Sequence, residues 1–98
     1  MQVDKVFEAI GKKQVIRILG DVAPLRPPGA TVAMIRRLEG NRSVFYTLDE
    51  RPDLPNFVLD IPADGQAVLL GVSPKNTLTL VSEDVQLILQ WGRYIPTN

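Results

Sequence analysis

Three apolar runs separated by two turn signals occupy Phe57 to Trp91, and this spacing restricts the chain to a β-rich fold. The runs are Phe57–Ile61, Gln66–Val72 and Thr77–Val81, the last resuming after Ser82-Glu83-Asp84 as Val85–Trp91. Pro62-Ala63-Asp64-Gly65 and Ser73-Pro74-Lys75-Asn76 break them. Short β-branched and leucine-rich segments punctuated in this way predict an antiparallel meander. In the last run Val85, Leu87, Leu89 and Trp91 alternate with Gln86, Ile88 and Gln90, a period of two that favours strand. A helix starting at Ser82, with Glu83 and Asp84 in its first turn, is the rival reading.

Upstream, Val3, Val6, Phe7 and Ile10 fall at i, i+3, i+4 and i+7, and Gly11 follows. This predicts a short helix over 3–11 that either covers one end of the sheet or docks on a neighbouring subunit. Gln14–Leu19 reads as a strand ended by Gly20-Asp21. Residues 21–30 carry Pro24, Pro27 and Pro28 and predict a stiff, extended crossover, which doubles as a docking segment because it loses little entropy on binding. Thr31–Leu38 and Arg42–Leu48 flank Glu39-Gly40-Asn41, the signature of a hairpin. Asn41-Arg42-Ser43 has the form of a glycosylation acceptor and is read as a turn. Residues 92–98 are expected to leave the sheet as a tail. The sum is one domain over residues 1–98, a small antiparallel β-barrel or β-sandwich of six to seven strands with one short N-terminal helix.

Composition matters mainly for what it removes. The chain has no cysteine and no histidine, so disulfides, thiolate metal sites, a cysteine nucleophile and the commonest general base are all excluded. Ser43, Ser73 and Ser82 have no nucleophile-elbow context, and the glycines form no phosphate cradle. Asp49, Glu50 and Asp53 share one polar loop, but their spacing matches no calcium loop and Arg51 lies among them. No enzyme, cofactor or metal is therefore expected. No secretory leader or apolar span of membrane length is visible, so the expectation is a protein without membrane contact, cytoplasmic or carried in a larger particle.

Eleven basic and eleven acidic residues cancel, so binding to nucleic acid needs a local patch. Two functional readings follow. In the first, the chain is a non-enzymatic structural subunit that binds copies of itself or other subunits of an assembly. Such a role resembles that of a capsid-decoration, connector or tail accessory subunit of a virion. The expected interface is Leu25, Arg26, Pro27 and Pro28 on the crossover, with Trp91, Tyr94 and Ile95 near the C-terminus. In the second, a small nucleic-acid-binding or regulatory barrel uses Arg36, Arg37 and Arg42 with Tyr46 around the Gly40-Asn41 turn. The same arginines also suit pairing with carboxylates on another subunit.

Overall fold

The computed structural model describes residues 4–48 and 57–97. Seven strands form one antiparallel sheet: β1 (Asp4–Ala9), β2 (Gln14–Val22), β3 (Val32–Glu39), β4 (Val44–Thr47), β5 (Phe57–Leu59), β6 (Val68–Gly71) and β7 (Thr79–Thr97). The nineteen-residue β7 is the spine. Along one of its edges lie β2, opposite Leu80–Leu89, and β1, opposite Gly92–Thr97. The other edge carries β4, opposite Thr79–Val81, and β3, opposite Gln86–Gly92. Ile88, for example, is paired with Val15 on one side and Arg36 on the other. Outside β3 and β4 run β6 and β5, with Val32 opposite Gly71 and Val44 opposite Leu59. The seven strands thus form four rows in the order β1/β2, β7, β3/β4, β6/β5.

A straight strand of this length would span about 60 Å. The longest dimension of the molecule is 43 Å, so β7 must bend, and the sheet curls with it into a half-barrel. The bend has a local cause. Between Ile18↔Val85 and Gly20↔Ser82, β7 contains one more residue than β2, which is a β-bulge at Glu83-Asp84. Before it Leu78, Leu80 and Ser82 point into the concave side; after it Val85, Leu87, Leu89 and Trp91 do. One extra residue switches the inward positions from even to odd numbers, so both halves of the strand bury their apolar side chains on the same face. Ser82, caught at the switch, donates its hydroxyl to the Ser43 carbonyl at 2.7 Å. Gly40 passes close to the bulge at φ +95°, and a Cβ there would sit 2.8 Å from the Asp84 carbonyl oxygen.

Ile16 and Ile18, Ala33 and Ile35, Val44, Leu59 and Ile61 complete the concave core. Two connections cover it. β2 and β3 run in the same direction on opposite sides of β7, so the chain must cross the concave face between them. Residues 23–31 make that crossing, ending where Thr31 N–H donates to the Gly92 carbonyl at 2.8 Å. Residues 72–78 cross back beside it, tied by Val72 N–H to the Thr31 carbonyl at 2.8 Å, and they bring Val72 and Leu78 into the core.

The strand-rich architecture matches the sequence reading, with four differences. The helix expected over 3–11 is not formed by its described residues: Asp4–Ala9 is strand β1, and the described residues contain no helix. The 3.6-residue spacing was outweighed by a long-range partner, because 92–97 is no tail but the last third of β7, whose free edge β1 fills. Gly40-Asn41 is not a hairpin. β3 and β4 run the same way along β7, and residues 40–43 merely interrupt one row. Nor is 57–91 a meander, since β5 and β6 are collinear and β6 pairs with β3 rather than β7. Strand over 85–91 is correct, although Ser82-Glu83-Asp84 is a bulge inside it and not a turn.

Gly92 is where β1 joins the spine. A Cβ on it would collide with the Glu8 carbonyl oxygen and the Phe7 ring, both packed directly over it. Gly92→Ala should therefore cost about 2–3 kcal/mol, the scale of forced overpacking. Urea unfolding followed by far-UV circular dichroism would measure it, and an unchanged midpoint would mean that β1 is not held in this way.

Candidate interaction surfaces

The crossover is built around one side chain. Arg26 donates Nη1 to the carbonyls of Val72 (3.2 Å) and Ser73 (3.0 Å), and Nη2 to those of Pro74 (3.2 Å) and Asn76 (2.7 Å). Its guanidinium lies 5.6 Å from the centroid of the Trp91 ring. A planar fork with five N–H donors suits such a set of carbonyls, and stacking on the indole adds a cation–π contact. Arg26 thereby clamps the two connections together over the core. Gln14 Nε2 donates to the Leu25 carbonyl at 2.8 Å and fixes the start of the same segment to β2.

Of the seven interface residues expected from sequence, two are committed to the fold. Trp91 is 1% exposed at the centre of the core, and Arg26 is the clamp above it. Pro27 is half-buried against Gly11. Leu25, at 83% exposure, and Pro28 project from the crossover into solvent. Tyr94 is 40% exposed on β7 with the Lys5 ammonium 5.9 Å from its ring, while Ile95 is half-buried opposite Val6. Leu25, Pro28 and Tyr94 are the accessible members of that set.

The arginine group does not converge. Arg37 turns to the concave side and donates to the carbonyls of Ile61 (3.4 Å), Gly40 (3.1 Å) and Arg42 (3.0 Å), closing the gap between β3 and β4. Tyr46 also faces inward, packing on the core with its ring 5.6 Å from that of Phe57. Arg36 lies on the convex face opposite Ile88, and Arg42 is 3.5 Å from Glu83 in a solvent-exposed ion pair. Two of the four thus serve the fold, and the other two stand apart on the outside. Asp49, Glu50 and Asp53 lie outside the described residues; among the described residues no three acidic side chains group to hold a metal ion.

Sequence reasoning missed the convex face itself. An antiparallel sheet with one solvated face normally alternates apolar-in with polar-out. Here Val15, Leu19, Val58 and Leu69 point outward and are 66%, 66%, 67% and 49% exposed. The pairings sort them into two patches. One joins Val15 to Ile88 and, a row on, Met34 to Leu69. The other joins Val58 to Phe45 and Val81, with Leu19 beside them. Between the patches runs a polar row of Arg17, Gln86 and Glu39, with Arg36 beside it at the end of the Val15–Ile88 row. Leu19, Phe45 and Val81 of the second patch line an open groove of about 1010 Å³, together with Arg42 and Glu83. The available signal was that Val15-Ile16, Phe57-Val58-Leu59 and Val68-Leu69-Leu70 are apolar at both parities.

These assignments separate stability from accessibility. Arg26→Met should lose about 2–3 kcal/mol, since its hydrogen bonds carry a full charge and its loss takes the donor from the part-buried carbonyls of Val72 and Asn76. Leu25→Ser should stay within about 0.5 kcal/mol. Urea titrations followed by Trp91 fluorescence test both, and equal losses would contradict the clamp. No protein-family model, curated protein or solved structure matches the chain.

Proposed function

We propose that this protein is a non-enzymatic assembly subunit that binds protein chains, copies of itself included, through the outside of its half-barrel. The observation that carries this reading is the convex face, where large apolar side chains stand at positions that a solvated sheet gives to polar ones. Two apolar patches framed by a charged belt have the composition of a protein contact surface, apolar at the centre and polar at the rim. Zero net charge supports it from another side, because nothing in the overall field repels a second copy.

The test is sedimentation velocity from low micromolar to near-millimolar protein, in low salt. The wild type should gain mass with concentration. Val58→Lys combined with Leu69→Lys, both at exposed positions, should suppress that gain while leaving circular dichroism unchanged. A wild type that stays monomeric throughout overturns self-assembly as the role. A mixed oligonucleotide pool in the same cell tests the rival reading. Salt-sensitive binding there, lost on Arg36→Glu, would favour a nucleic-acid partner instead.

A further inference from the structure

The half-barrel has two open edges, and they are not alike. The β6/β5 edge is short and broken: strands of four and three residues separated by Asp60–Ala67, with Pro62 between them. Short strands and a proline are common devices for preventing edge-to-edge pairing. The β2 edge is nine residues long and has no proline within it. It pairs with β7 alone, and the crossover makes no backbone hydrogen bond to it among the described residues. A long edge with Val15 and Leu19 standing exposed beside it is a ready template for another strand.

We infer that the β2 edge pairs with β2 of a second copy, antiparallel about a two-fold axis through Leu19. This rests on the assembly reading above and adds the sheet edge to the convex face as a second contact, with another copy as its partner. The argument is self-complementarity. In an antiparallel pair centred on Leu19, Arg17 stands opposite the partner's Asp21, and Asp21 opposite the partner's Arg17. The two Leu19 side chains meet at the axis. On the concave side Ile16 faces the partner's Val22, and Ile18 faces the partner's Gly20. The space beside Gly20 is open, since a Cβ there would touch nothing within 4 Å. No other antiparallel register sets Arg17 against Asp21. One centred on Arg17 opposes two arginines, and one centred on Asp21 opposes two carboxylates, both unfavourable across a sheet.

The present partners of these charges leave them free to engage. Arg17 reaches Asp84 at 3.4 Å, with both side chains more than half exposed, a loose surface pair that a second carboxylate can join. The groove over Phe45 and Val81 begins at Leu19, so the axis brings two grooves side by side and covers the apolar side chain that each leaves in water. The joined sheet keeps both concave faces on one side, as an isologous contact requires.

A charge-exchange cycle read by sedimentation velocity in low salt tests this. Arg17→Asp and Asp21→Arg, made singly, each place like charges opposite one another twice per dimer and should raise the dissociation constant about tenfold or more. The double variant R17D/D21R restores opposite charges and should recover wild-type association. Asp84→Asn, which removes only the pair within one chain, should leave it intact. Circular dichroism confirms folding in every case. Singles that dimerise like the wild type, or a double variant that fails to recover, overturn the inference. If association persists in the edge variants but disappears with Val58→Lys and Leu69→Lys, the assembly reading stands and this edge is rejected. A wild type that is monomeric throughout removes both.

Discussion

The backbone of the nineteen-residue β7 needs hydrogen-bond partners along both edges, and the other elements supply them along one edge from Leu80 to Thr97 and along the other from Thr79 to Gly92. Among the described residues no other strand exceeds nine residues, so each edge is served by two strands laid end to end. Collinear pairing explains features that look unrelated along the chain. Gly11 and Gly40 interrupt rows that would otherwise continue, and the two positive-φ glycines let the backbone step across those breaks. The register shift opposite Ile18–Gly20 is the bulge in β7, and close to it a second shift puts one extra residue, Leu38, into β3 opposite Gln86–Leu87. A row can lose step with the spine there without either strand leaving the sheet.

Filling both edges of one strand has a topological consequence. Rows on opposite sides of β7 run in the same direction, so no tight turn can join β2 to β3. The chain has to cross a face, and it crosses the concave one, where the crossing also covers the core. Pro24, Pro27 and Pro28 suit this position, because a crossing segment has no ladder to join and a missing N–H costs nothing. The return connection at 72–78 lies alongside, and its part-buried Val72 and Asn76 carbonyls take their donor from Arg26. Such polar groups cost about 1–3 kcal/mol each when buried and unpaired. Trp91 completes the arrangement: its ring carries the guanidinium, although its own buried Nε1–H has no hydrogen-bond partner.

What could be read from sequence divides along the same line. Local pattern identified Val85–Trp91 as strand, the Asp64-Gly65 and Ser73–Asn76 turns, and the stiff crossover, because each depends on nearby residues. Asp64 indeed caps its turn by accepting from Gln66 N–H at 3.0 Å, and Asn76 N–H returns to the Ser73 carbonyl at 3.0 Å. Pairing partners were not legible. Ser82-Glu83-Asp84 is polar enough to pass for a hairpin tip, and only the burial of Leu80 and Val85 on one face shows it to be a bulge. Gly40-Asn41 carries hairpin chemistry while serving as a gap in a row. Val6 and Phe7 satisfy a helical stripe equally well as two faces of a strand, and the choice is made eighty-odd residues away, at Ile95 and Tyr94. For the site, the period-two run placed Trp91 on one face with Val85, Leu87 and Leu89, but the carbonyl cluster that occupies Arg26 comes from a distant segment.

The closed concave face also limits where a partner can bind. A half-barrel whose interior stayed open would offer its cavity to a ligand or to an inserted strand. Here the two crossings, Arg26 and Trp91 cover the concave core instead. What remains is the convex surface and the outer edges of the first and last rows. Arg37 and Tyr46 are turned inward, so the basic and aromatic character of the β3–β4 region is largely withdrawn from the outside. The apolar content that alternation would have hidden is instead exposed at Val15, Leu19 and Val58. Under the assembly reading proposed above, turning Arg26, Arg37, Tyr46 and Trp91 inward while leaving Val15, Leu19 and Val58 outside suits the molecule to another protein surface better than to a polyanion.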